Sequence, residues 1–196
     1  MNFLAHLYLS KDSEKIAIGN FIADFVKGNQ IEAYDQEIKK GILMHREIDR
    51  FTDSHGIVKE SKARLWEKYR HYGAVIVDIY YDHFLSKNWN WYSEEPLKEF
   101  TKRQYAMLSM HSADFPIGAG KTLKYMKQTD WLYNYQFLDG IDMALKGMSR
   151  RAKFDSGMES AIRDLNKDYE LYQAEFASFF PLLEKHITDF EINELK

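Results

Sequence analysis

Apolar residues recur at three- and four-residue intervals along almost the whole of this 196-residue chain, and only three prolines interrupt them. That spacing lays an apolar stripe along a helix; it does not match the two-residue alternation of a half-buried strand. Ile16, Ile18, Phe21, Ile22 and Phe25 show it early, and Leu65, Trp66, Tyr69, Tyr72, Val75 and Ile76 show it in the middle. Alternating runs flanked by hairpin signals are missing. The pattern predicts helices at about 13–27, 31–53, 57–70, 73–87, 94–111, 119–129, 131–150 and 157–186. Ser13 suits the cap of the first, Gly28 its stop, and Ser93-Glu94-Glu95-Pro96 a later helix start. Asp114 to Gly120 reads as the clearest loop. The expectation is an all-α, single-domain helical bundle over residues 1–196, with a polar end fraying from Thr188.

Several function classes drop out at this level. A formal net charge of −3 lacks the strongly basic footprint of a general nucleic-acid binder. No run approaches the ~18 uninterrupted apolar residues of a membrane span. Met1 to His6 has no basic start leading into a long apolar core, so it does not read as a signal peptide. The absence of cysteine removes disulfides and zinc–thiolate sites and fits a cytoplasmic setting. Neither nucleic acid nor membrane is an expected partner.

Five of the seven histidines fall within the first 83 residues, and they keep company with aspartates. Three segments matter: Ala23-Asp24-Phe25, Met44-His45-Arg46-Glu47-Ile48-Asp49, and Asp78-Ile79-Tyr80-Tyr81-Asp82-His83. At four-residue separation, His45/Asp49 and Asp78/Asp82 each share one helical face. Imidazole and carboxylate groups presented by facing helices are how helical bundles hold divalent metals. A bound ion with open coordination positions can polarise a phosphoryl group and acidify water. His6, Asp24, His45, Asp49, Asp78, Asp82 and His83 form the candidate set, which exceeds one ion's needs, so some members would orient ligands or act as general base. The donor types suit manganese, iron, zinc or magnesium alike.

Each of these residues has a plainer reading. Asp24 could accept hydrogen bonds from a neighbouring helix, and His45/Asp49 could be an intrahelical pair on a solvated face. Arg46 and Arg50 could reach a phosphate or stay in solvent. Asp53 and His55 read better as the end of a helix, and His71, His111 and His186 lack companions. Asp82-His83, in an aromatic and apolar setting, needs partners if buried. Gly118-Ala119-Gly120-Lys121-Thr122 ends like a phosphate-binding loop, but Phe115 stands in place of its first glycine and no strand precedes it. His-Glu-x-x-His, dinucleotide fingerprints and a serine elbow are absent. Arg150, Arg151 and Lys153 lie near a helix end, where the dipole favours cations, and they could also dock an acidic partner.

Four stretches carry a family resemblance: Met1 to His6, Gly19 to Gly28, Gly41 to Asp49, and Asp82-His83-Phe84-Leu85-Ser86. Weaker matches run through Trp131-Leu132 and Gly147 to Arg151 as far as Phe180-Pro181. Together they resemble the acyl carrier protein phosphodiesterases. That resemblance implies a manganese-dependent enzyme that removes 4′-phosphopantetheine from holo acyl carrier protein, built on an atypical all-helical HD-domain phosphohydrolase fold. It implies site roles for Asp24, His45, Asp49, Asp82 and His83 first, then His6 and Asp78; Arg46, one position round from His45, is the candidate to reach the phosphate. The chain has no adjacent His-Asp dipeptide; its nearest equivalent is the reversed Asp82-His83. A small acidic carrier would be steered by Arg150, Arg151 and Lys153. Two rivals share parts of this reading: an HD-type phosphohydrolase acting on a nucleotide or other small phosphodiester, and a catalytically silent helical interaction module.

Overall fold

The computed structural model describes residues 1–194, with side chains as far as residue 191. Among these residues every regular element is helical. In chain order they are α1 (Phe3–Leu9), α2 (Glu14–Ile22), α3 (Gln36–Ser54), α4 (Gly56–Tyr69), α5 (Gly73–Lys87), α6 (Leu97–Met110), α7 (Ile117–Gln128), α8 (Trp131–Asn134), α9 (Leu138–Ser149), α10 (Ile162–Lys167) and α11 (Tyr169–Glu194). None of them is long and apolar enough to cross a membrane.

The axis of the bundle is α5, which buries Ile76, Val77, Ile79, Tyr80, Tyr81, Phe84 and Leu85 completely. A helix apolar on nearly every side belongs inside a protein, and here α1, α4, α9 and α11 surround it. The aromatic rings of α11 fill the space between, with Phe176, Phe179 and Phe180 fully buried. The buried apolar side chains form one continuous cluster that draws on helices from α1 to α11.

Two glycines set the crossing of α2 and α3. Gly19 of α2 and Gly41 of α3 bring the two helix backbones together, their Cα atoms facing each other. A Cβ on Gly19 would lie 2.1 Å from the Ile38 carbonyl oxygen, and one on Gly41 would lie 2.2 Å from the Ile16 carbonyl oxygen. Only residues without a side chain permit that approach. The caps fix the starts of these helices: Ser13 accepts from Ile16 N–H (3.3 Å), and Asp35 accepts from Ile38 N–H (3.0 Å). His55 closes α3 and caps α4, accepting from Ile57 N–H.

The expected helix class holds, whereas several boundaries move. Residues 3–9 form a helix where the periodicity predicts none, because a seven-residue segment shows too few repeats to register. The first expected helix stops at Ile22, and Asp24 sits on a 3-10 turn, Ala23–Phe25. The stretch 131–150 divides into α8 and α9, since Gly140 lets α9 close onto the Asn134 carbonyl. Helix α7 begins at Ile117, directly after Pro116, so part of the expected loop is helical. The stretch 157–186 divides at Asp168, and α11 continues through the supposedly fraying end to Glu194; residues 195 and 196 lie outside the described residues. His186 has companions after all, for it stacks on Phe51 (4.2 Å) and pairs with Glu47 on the back of α3.

Candidate metal centre

Two helices and one turn bring four of the predicted residues together. His6 comes from α1, Asp24 from the turn after α2, and His45 and Asp49 from successive turns of α3. Asp49 bridges the two rings, with Oδ1 3.2 Å from His6 Nε2 and Oδ2 3.2 Å from His45 Nε2. Asp24 Oδ1 approaches His45 Nε2 to 3.2 Å. Ligand atoms of His6, His45 and Asp49 all lie within 4.8 Å of one another. Both rings are buried, while Asp49 is half-buried and Asp24 exposed. The group is therefore anchored in the core and open on one side.

The far sides of the rings are held as firmly. His6 Nδ1 lies 2.8 Å from Asn20 Oδ1, and His45 Nδ1 lies 3.1 Å from the same oxygen and 2.9 Å from the Asn20 carbonyl. Asn20 is itself buried on α2 and reaches α3 because of the Gly19–Gly41 contact. As a neutral amide Asn20 has no charge or ligand spacing to mark it in the sequence, although it lies inside the Gly19 to Gly28 stretch.

Electrostatics follow from this geometry. Burial would depress His45, but hydrogen bonds with the carboxylates of Asp24 and Asp49 outweigh it and lift its pKa to about 9. Burial and the adjacent His45 push His6 down instead. Burial works against ionised Asp49, yet the two rings hold its carboxyl well below the usual range. The hydrogen bond with His45 also keeps the Asp24 carboxyl low. Two carboxylates kept ionised beside two imidazole nitrogens make a donor set that fits a borderline divalent ion such as manganese, iron or zinc.

Asp78 lies at the margin of the group. Its Oδ1 is 3.1 Å from the Met1 nitrogen, which is also 3.6 Å from Asp49 Oδ1. The remaining two candidate ligands face elsewhere. Asp82 turns its carboxylate to the start of α1 and accepts from the N–H groups of Asn2 (3.2 Å), Leu4 (2.8 Å) and Ala5 (3.3 Å). It is fully buried and anchors the helix that carries His6, which accounts for an ionisable group at that depth. His83 lies on the other side of α5, with Nδ1 2.7 Å from the Tyr135 carbonyl and Nε2 2.8 Å from the Tyr169 hydroxyl. Both ring nitrogens are engaged, and neither belongs to the cluster. Sequence adjacency to Asp82 misleads because consecutive helix positions point about 100° apart.

A pocket of about 280 Å³ lies beside the cluster, lined by Met1, Asp24, Asp78, Thr122, Trp131 and Arg151 among others; of the four clustered residues only Asp24 reaches it. Arg151 stacks on Tyr125 and Trp131, 5.6 and 5.7 Å from the ring centroids, which holds its guanidinium at the pocket wall. Of the three predicted docking cations only Arg151 lines the pocket; Arg150 and Lys153 are exposed beside it in the chain. Arg46 is exposed and donates to the Val26 carbonyl at 3.4 Å; it does not line the pocket.

Comparison with known proteins gives a consistent answer. The family model described as acyl carrier protein phosphodiesterase matches residues 1–183. An acyl carrier protein phosphodiesterase of Enterobacter sp. (strain 638) is 37% identical over 183 residues, covering 92% of this chain and 94% of that protein. The protein of the same name from Yersinia enterocolitica is 32% identical over 193 residues, covering 98% of this chain and 100% of its own length. That from Klebsiella pneumoniae (strain 342) is 36% identical over 183 residues, covering 92% and 94%. No solved structure matches the chain.

Proposed function

Because this chain belongs to the acyl carrier protein phosphodiesterase family, we propose that it releases 4′-phosphopantetheine from holo acyl carrier protein, using a divalent ion, manganese first among them, held by His6, His45 and Asp49 with Asp24 at the edge. It is a hydrolase of phosphodiester bonds. The observation that carries the metal-dependent reading is the convergence of two buried imidazole nitrogens on both oxygens of one carboxylate, with Asp24 joining that group to an adjoining pocket of about 280 Å³. A cytoplasmic site of action belongs to the same reading.

The bond to be broken joins a serine oxygen of the carrier to the pantetheine phosphate. When bound, the ion supplies positive charge to the phosphoryl oxygens and acidifies water. The protein's own groups do the rest. Asp24 is exposed at the pocket and kept ionised by His45, which places it to take a proton from water. Arg151, fixed across the pocket by its aromatic platform, balances negative charge on the phosphodiester. Arg150 and Lys153 extend positive charge from the pocket rim onto the surface, where an acidic carrier would approach.

The test is purified protein incubated with holo acyl carrier protein, with and without manganese, and the products weighed by mass spectrometry. Release of phosphopantetheine that stops on chelation and returns with manganese is the expected result. Release that ignores chelation would overturn the metal-dependent reading. Equal cleavage of a generic phosphodiester would remove the carrier specificity.

A further inference from the structure

The amide of Asn20 has one allowed orientation. Its Nδ2 lies 2.9 Å from the His6 carbonyl oxygen, which can only accept, and 3.1 Å from Ser10 Oγ. Ser10 Oγ donates to that same carbonyl (2.8 Å), leaving its oxygen lone pairs free for Asn20. Nδ2 must therefore be the atom on that side, and Oδ1 must be the atom on the other. There Oδ1 meets His6 Nδ1 at 2.8 Å and His45 Nδ1 at 3.1 Å, while the Asn20 carbonyl meets His45 Nδ1 at 2.9 Å. An amide oxygen has no proton to give, so both Nδ1 atoms must carry one.

We propose that Asn20 is the positioning residue of the centre: its side-chain oxygen fixes His6, and that oxygen together with its backbone carbonyl fixes His45, in the Nδ1–H form, which leaves both Nε2 atoms to face one cation. This rests on the metal-dependent reading above and goes beyond it by assigning the tautomers and the group that sets them.

The opposite ends of the rings bear it out chemically. His6 Nε2 faces Asp49 Oδ1 (3.2 Å) and the Met1 carbonyl (3.2 Å). His45 Nε2 faces Asp24 Oδ1 and Asp49 Oδ2, both at 3.2 Å. With Nδ1 already protonated, each Nε2 meets acceptors only, so each needs a proton or a cation. Without metal a proton on His45 Nε2 serves its two carboxylates, but protonating His6 as well would put two cations face to face, since the rings stack 4.0 Å apart at 19°. A divalent ion would replace that proton and satisfy both nitrogens at once. Outer groups that orient a metal-binding imidazole in this way commonly change affinity 10–100-fold when removed.

The test uses full-length protein labelled with 15N in its histidine rings and loaded with zinc, a diamagnetic probe, beside calorimetric titrations with manganese. In the unaltered protein both His6 and His45 should show the proton on Nδ1 and the metal-shifted signal on Nε2. A proton on Nε2 of either ring overturns the proposal whatever any variant does. Asn20→Leu should weaken manganese binding roughly 10–100-fold. Unchanged manganese affinity in a folded Asn20→Leu protein also overturns it. Failure of the unaltered protein to bind either metal sinks the metal reading itself and takes this proposal with it.

Discussion

The imidazole rings of His6 and His45, 39 residues apart on α1 and α3, stack at 4.0 Å and present Nε2 to the two oxygens of Asp49. One carboxylate thus joins the shortest helix near the start of the chain to the long helix that carries the rest of the group. Alanine at His6, His45 or Asp49 removes a direct ligand and not merely its support. Each should cost more than the roughly 10–100-fold expected for an orienting group, with helical content by circular dichroism retained. Loss of turnover that merely parallels unfolding would mean that these side chains serve the fold alone.

His83 gives a prediction of the opposite kind. Burial depresses its pKa to about 4, against an unfolded value of 6.5, although the Tyr135 carbonyl favours the charged form. Between those two values the unfolded chain binds a proton that the folded protein refuses, so stability rises with pH across that window. Its contribution is complete above about pH 6.5 and is lost as the pH falls toward 4, amounting to roughly 3 kcal/mol from the size of the shift. Thermal melts from pH 7 to 4 should show the decline, and His83→Leu should flatten it while leaving manganese stoichiometry unchanged. A histidine belonging to the metal centre would lose metal instead.

Arg151 and its neighbours separate two roles that the sequence groups together. Arg151 lines the pocket on its aromatic platform, whereas Arg150 and Lys153 are exposed beside it. Arg151→Ala should lower turnover of the carrier and also weaken inhibition by inorganic phosphate, which needs no carrier surface. Arg150→Glu and Lys153→Glu should leave phosphate inhibition intact but slow carrier cleavage at low ionic strength and reduce its salt dependence. A salt series with identical slopes for all variants would remove the docking role.

The sequence exposes these groups unequally, for identifiable reasons. Helical periodicity is repeated so often that the all-α class is readable throughout, and the four-residue spacing of His45 and Asp49 places both on one face before any coordinates are known. Asp82 and His83 look equally persuasive because buried ionisable groups need partners, but the partners turn out to be the N–H groups of α1, the Tyr135 carbonyl and the Tyr169 hydroxyl. Nothing local distinguishes a carboxylate that holds a helix start from one that binds a cation. Asn20 stays hidden for another reason: a neutral amide has no spacing signature, and its role appears only when α1, α2 and α3 are in contact.

That contact yields the last prediction. Gly19 and Gly41 let α2 and α3 touch at the backbone, and the next residue after Gly19 is Asn20, while His45 lies one turn beyond Gly41. A methyl group on Gly41 would sit 2.2 Å from the Ile16 carbonyl oxygen and 2.9 Å from Gly19 Cα, both parts of the backbone, so the helices must separate. Higher helix propensity favours alanine by up to ~1 kcal/mol, but overpacking in a rigid interior costs about 1–3 kcal/mol or more. Backbone atoms cannot swing aside as a side-chain tip can, so the upper end of that range should win. Gly41→Ala should therefore lower the melting temperature and, by drawing Asn20 away from His45 Nδ1, weaken manganese binding in the fraction that remains folded. Gly56→Ala is the matched control: its Cβ would meet nothing within 4 Å, so it should leave metal affinity unchanged. Equal effects of the two substitutions would show that the close crossing of α2 and α3 has no part in building the centre.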